Sequence, residues 1–130
     1  MKRSISHTIC GKKRTLVANF AAAEAVTDRV ADIMMIADEA MLEAKMLEAG
    51  IMTHRPRWSA SAHEVIEIIS IGLEQGGDSV DEDDLKQWAF EVGLGTAKTL
   101  AYTYLGLIYA PAADVDLGDG GKKGKSTGKK

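Results

Sequence analysis

A single cysteine, Cys10, stands among 130 residues. An intramolecular disulfide framework is therefore excluded, and so is a multi-cysteine zinc site. Prolines number two and aromatic residues make up 5% of the chain. No apolar run approaches the ~20 residues that a bilayer span needs. Lys2 and Arg3 could open a secretory leader, but Ser4, Ser6, His7 and Thr8 follow where an apolar stretch should be. A soluble cytosolic chain of one domain is expected, with 45% apolar and 27% charged residues. That length can bury roughly two-thirds of its unfolded surface, enough for a core without staples.

Acidic residues are missing from both ends. Residues 1–14 carry Lys2, Arg3, Lys12, Lys13 and Arg14, and residues 122–130 carry five lysines. All 19 acids lie between Glu24 and Asp119, with six bases among them, so this middle has a net charge of −13 against −3 for the whole chain. Nucleic-acid binders place a basic patch on folded surface. An acidic body is the opposite, so nucleic acid is not an expected partner. Complementary ends and body favour contact between copies, although solvated ends explain the charges as simply.

Ile5, His7 and Ile9 alternate with Ser4, Ser6, Thr8 and Cys10, the period of a strand. Gly11-Lys12 suits a II′ turn, and Thr15, Leu16 and Val17 favour a return strand. The first expectation is thus a β-hairpin over residues 4–18. Asn19 can cap a helix. Residues 20–49 contain no glycine or proline and are rich in alanine, glutamate, methionine and leucine, so a helix is expected there, ending at Gly50. A heptad seam runs through Ala23, Val26, Val30, Ile33, Ala37, Ala40, Ala44 and Leu47. Asp32 interrupts the segment, and a bend or break is expected between Ala31 and Ile33. Met34 and Met41 flank the seam, beside Met35, Met46 and Met52. Thioether side chains adapt to varied partners. Met34, Ala37, Ala40 and Met41 are therefore the candidate partner-binding residues, with core filling under a neighbouring helix as the plain alternative.

Residues 51–60 read as a loop. Ser61 and Glu64 form a capping-box pattern before a helix over about 61–75, with Ala62, Val65, Ile66, Ile69 and Leu73 as its apolar face. Ser79 and Glu82 repeat that pattern before a helix over about 80–92, with Leu85, Trp88, Ala89 and Val92 inward. Its first turn is crowded with acids, where the helix dipole favours them. A last helix is expected over 96–109, burying Leu100, Tyr104, Leu107 and Ile108 and stopping at Pro111. The fold class is α+β and mostly α: a hairpin, then four or five helices, in one domain over 1–111. Residues 112–130 have a Gly/Lys-rich composition that reads as a disordered basic tail.

Motifs of catalysis and ligation fail on spacing. The run Gly118–Ser126 resembles a phosphate-binding loop, but Asp119 stands where its first glycine belongs. His63-Glu64-x-x-Glu67 has ligand spacing without the second Glu-x-x-His helix that a di-metal bundle needs. Asp78 to Asp84 has calcium-loop composition, yet the sixth position is Asp83 and the twelfth Ala89, in place of glycine and glutamate. Lys12, Lys13 and Arg14 could lower the Cys10 pKa, but His7 lies on the opposite strand face, so no nucleophile is paired with a base. No metal, cofactor or enzymatic activity is expected.

The order of the pieces is informative. The hairpin Ile5–Val17 leads directly into Asn19-Phe20-Ala21-Ala22-Ala23-Glu24-Ala25. Later come His63-Glu64-Val65-Ile66-Glu67-Ile68-Ile69-Ser70-Ile71-Gly72-Leu73, Gly76-Gly77 and Val80 before acids, and finally Gly93-Leu94-Gly95 and an apolar helix. Over roughly residues 4–110 this resembles the small tail-assembly proteins of gene transfer agents and related siphophages. That family is grouped with phage tail assembly chaperones and has also carried the label of tail tube protein. The resemblance implies a protein without catalysis that keeps the helical tape-measure protein soluble in the bacterial cytoplasm until tube subunits polymerise around it. The tape-measure protein, and also the tail tube protein, are the implied partners, with self-association through the same face when no client is bound. Two other readings stand beside it: a structural component of the tail, carried in the virion, and a small regulatory or nucleic-acid-associated protein using its lysine ends.

Overall fold

A computed structural model describes residues 3–52 and 56–110. The expected tail over 112–130, with its phosphate-loop-like run, and the loop positions His54 and Arg55 lie outside the described residues. A two-stranded antiparallel hairpin is followed by five helices, the α+β and mostly helical architecture.

Strands β1 (Arg3–Ile9) and β2 (Lys12–Ala18) pair in a register running from Arg3 opposite Ala18 to Ile9 opposite Lys12. Ile5, His7 and Ile9 turn toward the core while Ser4, Ser6 and Thr8 are exposed. The two turn residues are Cys10 and Gly11, with φ of 55° and 78°, not Gly11 and Lys12. Two consecutive positive φ values make a type I′ turn, whose twist matches the strands better than other two-residue turns. At Cys10, a non-glycine residue, the left-handed conformation costs about 1–2 kcal/mol.

The segment expected as one helix over 20–49 is two, α1 (Phe20–Arg29) and α2 (Ile33–Glu48). Asn19 caps α1, its Oδ1 accepting from the Ala22 amide at 2.8 Å. The amides of Val30 and Ala31 both donate to the Val26 carbonyl, which closes that helix. Asp32 then starts α2 by accepting from the Met34 amide at 3.0 Å, and Thr27 Oγ1 accepts from the Ile33 amide at 3.2 Å. A side chain suited to capping is thus used as a cap. The heptad seam ends at this break. Beyond Ile33 the buried residues of α2 are Ile36 and Glu39, whereas Ala37 and Ala40 are half-buried and Ala44 and Leu47 exposed.

Helix α3 (Ala62–Gln75) opens on the complete capping box between Ser61 and Glu64 and buries seven residues. Helix α4 (Glu82–Val92) is capped by Asp81, whose carboxylate accepts from the Asp83 amide at 3.1 Å. The Ser79–Glu82 box does not form; the Ser79 amide donates to Asp78 instead. Gly93, at φ 101°, turns the chain sharply into α5 (Leu94–Tyr109), so Gly95 lies inside the first turn of α5.

Helices α3 and α5 pack together and between them touch every other element. Gly72 of α3 and Gly76 at its C-terminal cap let β2 approach closely. The fully buried Tyr104 of α5 donates its hydroxyl to the Val17 carbonyl at 2.6 Å. Burial pushes its phenol well above the usual range. Arg14 clasps Asp78 through both carboxylate oxygens at 2.9 and 2.8 Å, and Arg29 joins Glu67 and Glu74 of α3.

Candidate partner-binding surface

Two faces of α2 differ in what they meet. Ile33, Ile36 and Glu39, three residues apart, turn inward. Met34 and Met41, seven residues apart and so nearly two full turns, lie on the opposite side and are 66% and 59% exposed. Core filling is excluded for these two methionines. Ala37 sits beside them, half-buried, at the boundary between the faces. Ala40 belongs to the inward side, where it lines a cavity with Ile36 and Glu39. The four candidate residues therefore divide: Met34, Ala37 and Met41 share a face, and Ala40 does not. Among the other methionines, Met35 packs partly on the core while Met52 is exposed. From Met41 to Gly50 every residue except Met46 is exposed, so the second half of α2 projects beyond the body with Leu42 and Leu47 uncovered. Ile51 and Met52 extend that apolar surface.

The cavity on the inner side has a volume of about 240 Å³ and is polar as well as aromatic. Glu39 is buried, 6% exposed, and its carboxylate takes the Arg57 Nε–H and, at 3.2 Å, the Arg57 amide. Trp58 stacks on Tyr102 at 6.0 Å and 19°. The Tyr102 hydroxyl accepts from the Ala60 amide at 3.0 Å. Lys98 donates to Ser59 Oγ at 3.0 Å while lying 5.5 Å from the Tyr102 ring centre. These contacts clamp residues 57–60 between α2 and α5. They are structural. Sequence periodicity gave no sign of a buried Glu39, because its partner comes from a loop eighteen residues away.

A second depression, of about 350 Å³, runs between α1 and the start of α2. Ala23, Thr27 and Ile33 line it, with Phe20 and Met34, and Glu24, Asp28 and Asp32 at its edge. Phe20 is 78% exposed. Arg29, the only base on α1, is engaged with α3, so Glu24 and Asp28 have no ion-pair partner among the described residues. Phe20, Ala23, Glu24 and Thr27 follow helical i, i+3, i+4, i+7 spacing, a signal present in the sequence but overshadowed there by the methionines.

The two glutamates of the His63-Glu64-x-x-Glu67 spacing hold structural partners. Glu64 serves the α3 cap and Glu67 holds Arg29. Cys10 is half-buried, its thiol 3.6 Å from the Asp84 carbonyl. Burial pushes the thiol pKa up against the pull of Arg14, and Asp84 and Glu91 add to the rise. The lowering expected from the basic cluster is reversed. Among the described residues no group of histidine, cysteine, aspartate and glutamate side chains could hold a metal ion, and no helix is long and apolar enough to cross a membrane. No family model, curated protein or solved structure matches the chain.

Proposed function

We propose that this chain is a tail assembly protein of the phage and gene-transfer-agent kind, acting as a chaperone for a helical tape-measure protein in the bacterial cytoplasm. The observation that carries the reading is the set of uncovered apolar side chains on α2, Met34, Met41, Leu42 and Leu47, followed just past its end by Ile51 and Met52. Continuous exposed apolar surface on a folded domain marks a place where something docks. A long helical client presents apolar stripes of differing shape, and methionine side chains adjust to them. Covering Met34 and Met41 alone would contribute about 2–4 kcal/mol. The strongly acidic middle of the chain keeps such a surface in solution. Against a role as a tube subunit stands the sheet: two strands in one hairpin make up all of it among the described residues, whereas a ring-forming barrel needs many more.

The test is co-expression with a phage-type tape-measure protein, followed by affinity capture. The parent chain captures it. Met34→Glu with Met41→Glu keeps the helical circular-dichroism spectrum, since both side chains are exposed, and loses capture, since an unpaired charge buried at the interface costs several kcal/mol. A double variant that folds and still captures the client, or one that unfolds, refutes this assignment of the surface.

A further inference from the structure

The groove between α1 and α2 combines an apolar floor with carboxylates, and that combination specifies an occupant. Its apolar elements are Phe20 and Met34, both exposed, with Ala23 and Ile33. Its edge carries three carboxylates, Glu24, Asp28 and Asp32. Asp32 spends one oxygen on the α2 cap; Glu24 and Asp28 have no cation beside them among the described residues. Asp38, one turn beyond Met34 on the same face, is also exposed. The depression is open and shallow, which suits side chains presented by a helix better than an enclosed small molecule.

We infer that this groove seats a cationic amphipathic helix. Apolar residues of that helix at i, i+3 or i+4, and i+7 would rest on Phe20, Ala23 and Met34, and lysines or arginines flanking the stripe would face Glu24, Asp28 and Asp32. Three carboxylates around an apolar floor, two of them without a partner among the described residues, reward that combination and repel an anionic helix of the same hydrophobicity, which makes the groove a selector of charge. The inference rests on the chaperone reading in one respect: it names the class of client segment that the Met34 end of the surface receives.

The experiment uses the full chain and two fluorescein-labelled synthetic helices of about 18 residues. Both carry leucine at helical i, i+3, i+4 and i+7 spacing; one has lysine at the other positions and the second has glutamate. Fluorescence anisotropy should show the lysine helix binding at least about tenfold more tightly, the scale of two exposed ion pairs replaced by repulsion. Its affinity should fall as salt rises, because these pairs are exposed to screening. Glu24→Lys with Asp28→Lys should invert the preference, and Phe20→Ala should weaken the lysine helix without changing the thermal melt. Equal binding of the two helices, or a preference untouched by the charge reversal, overturns the inference. Self-association of the parent chain that the same reversal abolishes would assign the groove to a second copy and also overturn it. Capture of the tape-measure product that is insensitive to the reversal but lost in the Met34/Met41 double variant removes this inference and leaves the chaperone reading. Selective binding of the lysine helix without any capture of that product does the converse.

Discussion

Replacing Gly72 by alanine sets two known effects against each other. Gly72 is buried within α3, and a methyl group there would lie 2.8 Å from both Cβ and Cγ of Leu16 and 3.0 Å from its Cδ2. Carbon atoms in contact prefer about 3.5–4.0 Å. Two of the three atoms belong to the root of the Leu16 side chain, which cannot swing aside without moving β2, and Leu16 is itself fully buried. Overpacking of this kind costs about 1–3 kcal/mol. Alanine in a helix interior recovers about 1 kcal/mol relative to glycine. With the clash at the rigid end of the side chain the cost lies in the upper part of that range, about 2–3 kcal/mol, so Gly72→Ala should destabilise by about 1–2 kcal/mol net. Urea unfolding followed by circular dichroism should show a lower midpoint at unchanged slope. Leu16→Ala alone should cost about 2–5 kcal/mol. The double variant should be more stable than additivity requires by about 1 kcal/mol or more, because the new methyl then fills vacated space. A Gly72→Ala protein as stable as the parent, or a cycle without coupling, would refute close approach of β2 to α3 as the reason for glycine at this position.

Tyr104→Phe removes the buried donor to the Val17 carbonyl and should cost about 1–2 kcal/mol, read as a lower melting temperature; an unchanged melt would mean that the bond contributes nothing. The hydrogen bonds from Arg14 hold the Asp78 carboxyl below its usual pKa. A carboxyl depressed in the folded state adds stability above its unfolded pKa of about 4, and that stability is lost as pH falls through the folded value. Asp78→Asn should therefore be less stable than the parent at neutral pH, with the difference shrinking as pH falls below about 4; a constant difference would show that the pair does not titrate as described.

What could be read in advance was whatever a side chain does to its own backbone or its own helix face. Asn19 and the Ser61–Glu64 box are caps in the structure because the hydrogen bonds they make close within three residues. The alternation Ile5, His7, Ile9 fixes one face of β1 for the same local reason. Asp32 was legible as an interruption, but whether it bends a helix or starts a new one depends on Thr27 and on the core that Ile33 joins. Ser79 was the cap the pattern offered, but Asp81 can cap as well and does so, while the Ser79 amide bonds to the Asp78 carboxylate that Arg14 holds. Of the candidate surface, exposure of Met34 and Met41 follows from seven-residue spacing once the buried face is known. The inward turn of Ala40 and the burial of Glu39 do not, since both depend on residues 56–60 and α5 packing against them. The acidic groove needs two helices at a particular angle, and only the break at Asp32 produces it.

The dependence of the hairpin on distant helices also sets an order of events in time. An isolated two-stranded hairpin is marginal in water. Here its inner face is covered by α3 and α5, and its strand β2 is fastened by a hydroxyl 87 positions further along the chain. On a ribosome adding about 5–20 residues per second, Val17 is made roughly 4–17 seconds before Tyr104. During that interval Ile9 and Leu16 can meet α1 and α3 but lack the α5 part of the core they will join. Among the described elements the hairpin is synthesised first and secured last, so the chain acquires its cooperative structure only once α5 has been translated.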